Sequence, residues 1–303
     1  MSRRPLKIGV QLPEVERETS WPELRLMATT AEEVGLDSLW VGDHLLYREP
    51  GTPARGPWEA WSMLAALAAV TTRVAIGPLV AATSFHNPAM LAKKAATVDE
   101  ITGGRLILGL GAGWNEVEYR AFGYPFDQRV SRFEEAFTII RTLLRDGAID
   151  FDGRFYKVRD CELRPRGPRA EGPPLMVGSI GQKMLGTTLP HVDSWNAWYS
   201  WYGNSADGYP QLRDTIDDAC QAVGRDPSTV ERTVAVLIRL PGGTGREQGD
   251  RVSAPPVPVE EAARVLLQLA SHGVAHVQLV LDPITVESIE ALAPMLSELS
   301  TNA

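Results

Sequence analysis

Strand-like and helix-like segments alternate along almost the whole chain, and this alternation strongly limits the folds available to it. Each predicted strand is followed by an amphipathic segment with apolar residues at helical spacing, and most of the links are short. Short links of this kind require neighbouring strands to run parallel. The predicted strands cover residues 7–12, 37–41, 74–80, 105–110, 175–177, 194–198, 233–239 and 275–281, and the predicted helices cover 24–34, 58–70, 88–101, 131–145, 181 onwards, 209–223, 259–271 and 286–299.

Eight strands alternating with eight helices predict an α/β fold, the (β/α)₈ or TIM barrel. An open doubly wound sheet is the alternative, and it requires a reversal of strand order that a sequence does not display. A chain of 303 residues can form one such barrel domain over 1–303. Two segments break the alternation and are predicted as insertions: about 146–174, after the fourth helix, and about 240–258, after the seventh strand. We expect both insertions to shape a substrate site.

The charge and hydropathy of the chain argue against several classes of partner. A net charge of −8 disfavours nucleic acid and anionic membranes. No run of about 18 apolar residues is present, and the first residues lack the apolar stretch of a signal peptide. Two cysteines, Cys161 and Cys220, are too few for a disulfide framework or a zinc site. We therefore expect a soluble, cytoplasmic protein.

In a barrel, active sites are built from the loops that follow the carboxyl ends of the strands. The pair Asp43–His44 follows the second predicted strand, where a histidine can exchange a proton near neutral pH. The alternative is that Asp43 caps the loop and His44 only packs. The positions selected by the same rule are Gln11, Asp43, His44, residues 83–87, residues 111–115, Gly178, Ser179, residues 195–198, Arg239 and Asp282.

The segment 104–119 ends a buried strand in a run of glycines, Gly109, Gly111 and Gly113, followed directly by Trp114 and Asn115. Glycine lets a ligand approach the backbone, so the segment is typical of a ligand platform. The alternative is a tight strand-to-helix turn whose glycines serve packing. The spacing GxGxG does not match the GxGxxG fingerprint of dinucleotide-binding proteins.

Small residues after the fifth predicted strand favour a phosphate site. Gly178, Ser179 and Gly181 precede a predicted helix, whose first amides can bind an anion, and Lys183 can add charge. The alternative is an ordinary loop with a capping serine. Trp195, Trp198 and Trp201 follow the sixth strand and either wall an apolar substrate pocket or pack in the core.

Other chemistries lack their residues. No predicted strand carries a lysine at its interior or carboxyl end, which disfavours a Schiff base, and there is no GxSxG nucleophile motif. The histidines form neither an HxH nor an HExxH pattern, so no catalytic metal is predicted.

The motifs at 8–12, 31–44, 59–61, 88–99 and above all 104–119 resemble the luciferase-like monooxygenase superfamily, most closely its coenzyme F420-dependent oxidoreductases. The resemblance implies a barrel with a flavin or deazaflavin ring across the strand ends, a cis peptide at Leu79–Val80 next to the ring, and a homodimer. Pro78 stands where a threonine is common, and Thr83 is the remaining nearby hydroxyl. The cofactor-binding residues implied are Asp43, Leu79, Val80, Thr83, Ala112, Gly113, Asn115, Gly178, Ser179, Gly181 and Gln182.

The resemblance supports three hypotheses about function. The first is hydride transfer between coenzyme F420 and a small organic substrate, with His44 as the catalytic acid or base and with Trp114, Trp195 and Trp198 around the substrate. The second keeps the fold but uses reduced FMN and oxygen, and the third is a barrel that binds without catalysis. Only five of the 30 basic residues are lysines, which suggests a GC-rich genome and favours F420. Trp114 stands where sugar-phosphate dehydrogenases carry an acid, which argues against glucose 6-phosphate as the substrate.

Overall fold

Eight parallel strands form a closed barrel in the computed structural model, which describes residues 4–49, 51–244 and 254–301. Each strand pairs with the next along the chain, and the last pairs with the first through Ile8 and Val277. This closure excludes the open doubly wound sheet. The strands are β1 Lys7–Gln11, β2 Ser38–Val41, β3 Ala75–Pro78 with its continuation Ala81–Ala82, β4 Leu108–Gly111, β5 Leu175–Val177, β6 Ser194–Ala197, β7 Glu231–Arg239 and β8 Val274–Asp282.

The third strand is interrupted, and its two pieces pair with different partners. Ala75–Pro78 pairs with β2, whereas Ala81–Ala82 pairs with β4. Between the pieces, the Leu79–Val80 peptide is cis, as the family resemblance implied, even though Pro78 precedes it. Ile76 also forms a parallel bridge to Leu106, just before β4. The third and fourth strands are therefore joined on both sides of the interruption.

Helices surround the barrel and cover its apolar strands. The amphipathic helix of 129–146 shows why, because Phe133, Phe137, Ile140 and Leu144 recur on one face and are all buried. The helices are α1 Trp21–Glu33, α2 Ala60–Val70, α3 Pro88–Thr102, α4 Glu116–Phe122, α5 Arg129–Asp146, α6 Gln182–Thr188, α7 Tyr209–Ala222, α8 Val259–Ser271, α9 Val286–Glu290 and α10 Ala293–Thr301. Among the residues that the structure describes, no helix is long and apolar enough to span a bilayer.

The last predicted helix is in fact two helices. The sequence predicts one helix over 286–299 that Pro294 should kink, and the structure ends α9 at Glu290 and begins α10 at Ala293. Pro294 is the second residue of α10, a position where a proline needs no amide partner.

The insertion predicted at about 146–174, which follows α5, forms a two-stranded antiparallel hairpin, Ala148–Asp152 with Lys157–Glu162. Its turn is held by Glu135 of α5, whose carboxylate accepts hydrogen bonds from the amides of Arg154, Phe155 and Tyr156 at 2.8, 2.9 and 3.0 Å. In the second predicted insertion, 240–258, residues 245–253 lie outside the described residues. Its last residues, Val257–Pro258, pair with the end of β7.

Candidate active site

A cavity of about 570 Å³ opens at the carboxyl ends of the barrel strands, where the sequence places the site. Its lining comes from the segments that follow β1 and β2, from the interruption of β3, and from the segments that follow β4, β5 and β6. Among the described lining residues, those predicted from the sequence are Asp43, His44, Leu79, Val80, Gly111, Ala112, Gly113, Trp114, Asn115, Gly178, Ser179, Gly181, Asn196, Trp198 and Trp201.

His44 is held by a buried carboxylate on one of its ring nitrogens. Its Nδ1 lies 2.8 Å from Oε1 of Glu118, on the short helix α4. The other oxygen of Glu118 accepts hydrogen bonds from the amides of Leu45 and Leu46, at 2.8 and 3.3 Å. Because Glu118 is fully buried and accepts three hydrogen bonds, it orients the imidazole and holds the proton of a neutral His44 on Nδ1.

A second carboxylate lies on the other side of the imidazole. Nε2 of His44 is 3.8 Å from Oε1 of Glu14, and Glu14 itself accepts hydrogen bonds from the Tyr47 hydroxyl and, at 2.5 Å, from the Gln11 amide. Burial alone would lower the pKa of His44, but the charges of Glu14, Glu118 and Asp43 outweigh burial and raise that pKa above its usual value. Nε2 is therefore the ring nitrogen that Glu118 does not hold, and His44 lines the cavity.

Asp43 has a structural position beside the cavity. Its Oδ2 accepts a hydrogen bond from the amide of Ala82 at 2.9 Å and lies 2.8 Å from Nε2 of His86. These contacts join the loop after β2 to the continuation of β3, directly beyond the cis peptide. Both roles considered for Asp43 are compatible with this geometry, because it caps the loop and also lines the cavity.

The glycine run packs tightly against its neighbours as well as lining the cavity. A Cβ on Gly109 would overlap the carbonyl oxygen of Pro78, and one on Gly111 would lie 2.7 Å from a methyl group of Val80. Gly113 has a φ of +73°, and a Cβ there would overlap the hydroxyl of Tyr119. The packing interpretation therefore holds for all three glycines, although Gly111 and Gly113 also expose backbone to the cavity.

The turn after β4 is fixed by hydrogen bonds to its own carbonyl groups. The Tyr119 hydroxyl donates to the carbonyl of Ala112 at 2.7 Å, and burial raises the pKa of that hydroxyl to about 12, so it stays protonated. The Arg129 guanidinium donates to the carbonyl of Gly113 at 2.9 Å. Asn115 donates from its side-chain amide to the carbonyl of Leu46 at 3.0 Å, which ties this turn to the loop that carries His44.

The loop after β5 presents a mostly bare backbone to the cavity. The Ser179 hydroxyl accepts a hydrogen bond from the amide of Gly181 at 3.2 Å, and the Ser179 carbonyl accepts one from the indole of Trp195 at 2.7 Å. Lys183, predicted to add charge here, instead extends to α5, where its ammonium lies 2.7 Å from Glu134. The described lining contains two guanidinium groups, those of Arg48 and Arg129.

Three predicted site residues do not line the cavity. Thr83 is 1% exposed in a short 3₁₀ turn beyond the end of β3, and Gln182 is an exposed first residue of α6. Trp195 is fully buried behind the loop after β5, because side chains alternate along β6 and its neighbour Asn196 faces the barrel interior. Gln11, Arg239 and Asp282 also lie outside the described lining, and Gln11 approaches the site only through Glu14.

Several site residues have no signal in the sequence strong enough to find them. Glu14, Tyr47, Glu118 and Arg129 each stand in a loop or on a helix where a polar residue is ordinary. Glu118 and His44 are 74 residues apart in the sequence. They meet because the segments that follow β2 and β4 lie at the same rim of the barrel. Among the described residues, no group of three or more histidine, cysteine or carboxylate side chains is arranged to hold a metal ion.

Comparison with known protein families settles the relationship that these motifs suggest. The model of the family described as luciferase-like monooxygenase matches residues 7–240, which is most of the chain. The chain belongs to the luciferase-like monooxygenase family. The match includes β1 to β7 and every segment that lines the cavity.

Relatives within this family carry names that refer to F420 or to pterin reduction. Over 226 residues, or 70% of its length, the chain is 40% identical to a protein of Amycolatopsis mediterranei named F420-dependent glucose-6-phosphate dehydrogenase. Over 181 residues, or 59% of its length, it is 32% identical to the 5,10-methylenetetrahydromethanopterin reductase of Archaeoglobus fulgidus. The matched regions span 63% and 49% of those two relatives.

The fold is shared with solved structures at much lower identity. An F420-dependent secondary alcohol dehydrogenase, solved in complex with an F420–acetone adduct, superposes with a TM-score of 0.81 at 19% identity. The superposition covers 97% of this chain and 99% of the other. This similarity confirms the predicted TIM barrel.

Proposed function

We propose that this protein is an F420-dependent oxidoreductase that acts on a small organic substrate, with His44 exchanging the proton of the reaction. The observation that carries the proposal is the geometry of His44, whose Nδ1 is held by Glu118 while the residue lines a cavity at the strand ends. The family membership and the name of the relative at 40% identity support F420 as the cofactor.

The cavity has the shape that a flat ring with a polar tail requires. One side includes four residues with little or no side chain, Ala112, Gly113, Gly178 and Gly181, so a ring and its tail can approach the backbone there. A Cβ on Gly178 would approach Val80 to 3.3 Å and fill part of this surface. Ser179 and Arg129 are the polar groups in the lining that are suited to the phosphate of the tail.

Bound in this cavity, F420 would supply the two-electron hydride chemistry that no side chain can supply. His44 Nε2 would give a proton to the substrate oxygen during reduction and take it back during oxidation. Glu118 would keep Nδ1 protonated throughout, and Glu14 would stabilise the imidazolium form. Replacing His44 with alanine is expected to lower kcat by about 10²- to 10⁴-fold without preventing cofactor binding.

Titration with F420 and, separately, with FMN tests the cofactor assignment, with tryptophan fluorescence as the readout. We expect F420 to bind and Gly178→Ala to weaken that binding roughly tenfold or more. Gly186→Ala is the matched control, because a Cβ on Gly186 of α6 meets nothing within 4 Å. Tight binding of FMN together with no binding of F420 would overturn the proposal.

The second candidate is a monooxygenase that uses reduced FMN and oxygen, and the family description favours it. Oxygen consumption with reduced FMN, measured beside the F420 titration, distinguishes the two. We also propose a homodimer, supported by exposed apolar side chains on α1 and α3, namely Leu26, Met90 and Ile101. Light scattering coupled to size-exclusion chromatography tests this assembly.

A further inference from the structure

Aromatic rings line the cavity in two places, beside His44 and in the segment after β6. We call Tyr47, Trp114, Trp198 and Trp201 the aromatic wall. The ring centroids of Tyr47 and Trp114 lie 4.9 and 5.5 Å from that of His44, so they flank the imidazole. Trp114 keeps 41% of its surface exposed, which is a large apolar surface for one side chain.

The polar side chains beside this wall already bond to one another. The Tyr47 hydroxyl donates to Glu14, and Gln11 donates to the other oxygen of Glu14. Asn196 donates to Thr233 and Gln278 at 2.8 and 2.7 Å. A sugar needs several hydrogen-bonding side chains for its hydroxyl groups, and the donors of Tyr47, Gln11 and Asn196 are already engaged in these bonds.

The charges in the lining oppose an anionic substrate near His44. Three carboxylates, Glu14, Asp43 and Glu49, line the cavity on this side. Of the cationic side chains in the described lining, Arg129 donates to the carbonyl of Gly113 in the turn after β4, and Arg48 is exposed to solvent. A single exposed arginine binds a phosphate weakly because water competes for it.

We propose that the aromatic wall binds an apolar, uncharged substrate that presents one carbonyl or alcohol oxygen to His44, and that sugar phosphates are poor substrates. The inference rests on the proposed function. In the oxidation direction, the alcohol carbon loses a hydride to oxidised F420 and the hydroxyl proton passes to Nε2 of His44. The products are the carbonyl compound, reduced F420 and a protonated His44, so electrons and protons balance.

This assignment differs from the name of the relative that is 40% identical. The difference has a physical basis in one residue, because Trp114 puts an indole beside His44, with the ring centroids 5.5 Å apart. An indole offers a face for apolar contact and a single N–H donor, whereas a carboxylate exchanges protons and binds hydroxyl groups.

Two alcohols test the inference in the same direction of reaction. The protein is first saturated with oxidised F420, and cyclohexanol and glucose 6-phosphate are then compared as hydride donors by following the loss of oxidised-F420 absorbance. We expect kcat/KM for cyclohexanol to exceed that for glucose 6-phosphate by roughly 10²-fold or more. Equal values, a preference for glucose 6-phosphate, or no turnover of either alcohol would overturn the inference.

Variants of the wall separate aromatic contact from general damage. Trp114→Glu is expected to lower kcat/KM for cyclohexanol roughly tenfold or more, whereas Trp114→Phe keeps an apolar ring and should lower it less. The control is Trp58→Phe, because Trp58 is 61% exposed and does not line the cavity. F420 affinity should stay the same in all three variants, and a variant that loses cofactor binding would place Trp114 with the cofactor instead.

Failure of the proposed function has a different signature. It would appear in the F420 titration, before any alcohol is added. The binding of cyclohexanol and of glucose 6-phosphate to the protein alone, measured by tryptophan fluorescence, then decides the inference independently. Binding of cyclohexanol but not of glucose 6-phosphate supports it, and the reverse overturns it.

Discussion

Glu118 determines which nitrogen of His44 can act on a substrate. A carboxylate accepts hydrogen bonds but donates none, so its 2.8 Å contact with Nδ1 requires the proton on that nitrogen. Nε2 is then free to release or accept a proton in the cavity. Glu118 acts through His44 and is therefore a positioning residue.

Glu118→Gln should lower the pKa of His44. The change removes a negative charge, and the glutamine amide can donate to Nδ1, which moves the proton of the neutral ring to Nε2. The titration of His44 by NMR, assigned from the spectrum of His44→Gln, measures the pKa directly. His44 in the parent has a raised pKa and so stabilises the fold below its unfolded pKa, an effect lost as pH rises through the folded value; the variant should lose part of it.

The matched control is Glu116→Gln. Glu116 lies two residues earlier on α4 and is exposed, so this variant removes the same charge from the same helix without touching His44. An equal change in the pKa of His44 in both variants would contradict the positioning role.

The position of Gly113 requires both a positive φ and space that a Cβ would fill, and among the amino acids only glycine meets both requirements. Its φ of +73° is unfavourable for a side chain, and a Cβ would displace the Tyr119 hydroxyl from Ala112. Gly123 has a similar φ of +78°, but a Cβ there meets nothing within 4 Å. Gly123→Ala should therefore cost only the left-handed strain, about 1–2 kcal/mol, and Gly113→Ala should cost more.

Urea denaturation of the two alanine variants measures this difference in the free energy of unfolding. Equal losses would show that the overlap with Tyr119 relaxes without cost. The comparison also isolates the packing function of the glycine run from any contact with a ligand.

At the scale of single residues, the sequence predicted the segments that line the cavity better than it predicted the contacts between their side chains. His44, Trp114 and Gly178 were found because each follows a predicted strand, and strand ends meet at one rim. Glu118 was missed because its partner is on a distant loop, and Trp195 was misplaced because the sequence did not show which face of β6 it occupies. Side-chain direction depends on register, which is fixed by tertiary pairing.

Among the elements, the hairpin of 148–162 depends on one side chain of α5. The Glu135 carboxylate satisfies three successive amides of the turn, and these amides would otherwise lack a protein partner in the described contacts. Glu135→Ala should release the turn and speed amide hydrogen exchange in the hairpin, while exchange in the barrel strands serves as the internal reference.

Cofactor binding and turnover should be unchanged in Glu135→Ala, because no residue of this hairpin is among the described residues that line the cavity. The insertion at 146–174 contributes no residue to the described lining of the cavity, so its expected role in shaping the substrate site stays a prediction. A loss of cofactor binding in this variant would show that the hairpin reaches the site through α5.

Element types were easier to predict than the details of their ends. The limits of β5 and α8 match the sequence prediction, since each is bounded by turn residues. Ser20 and Glu23 have the spacing of a capping box at the start of α1, but Ser20 makes no capping bond with its side chain and Glu23 pairs with Arg17 instead. An ion pair with Arg17, six residues earlier, takes the place of the capping hydrogen bond, and the capping-box pattern alone does not reveal it.

For the whole molecule, the buried His276 should control part of the acid stability. Its Nε2 lies 2.7 Å from the Ser38 hydroxyl inside the barrel, and the Trp40 ring packs 5.7 Å away. Burial lowers the pKa of His276 to about 3, with Lys7 acting in the same direction. The folded protein therefore binds fewer protons than the unfolded chain between this value and the unfolded pKa.

The free energy of unfolding should consequently fall as pH decreases from about 6.5 to about 4, by at most about 1.4 kcal/mol per pH unit from this one group. His276→Gln should reduce that slope, because glutamine does not titrate. His44 contributes above this range, since its pKa is raised. Urea denaturation at several pH values checks the slope, and an unchanged slope in the variant would place the acid sensitivity elsewhere.

The barrel as a whole was predictable because it follows from the alternation of strands and helices, a pattern that extends over hundreds of residues. The closing contact was not, because it requires β3 to be interrupted so that Ala81 and Ala82 can reach β4. That interruption was implied only by family resemblance. Physical reasoning from the residues alone treats 74–80 as one continuous strand.

The two sides of the cavity also differ in how freely they can vary over evolutionary time. On the side assigned to the cofactor, Gly111 and Gly113 leave no room for a Cβ and Gly178 leaves little, so substitutions at these glycines disturb the backbone of the cavity. The aromatic wall consists of side chains, and the backbone that carries them is held by other contacts. A lineage with this architecture can exchange one substrate for another by point mutation while retaining its cofactor, and a library confined to Tyr47, Trp114, Trp198 and Trp201 is the economical place to redirect its specificity.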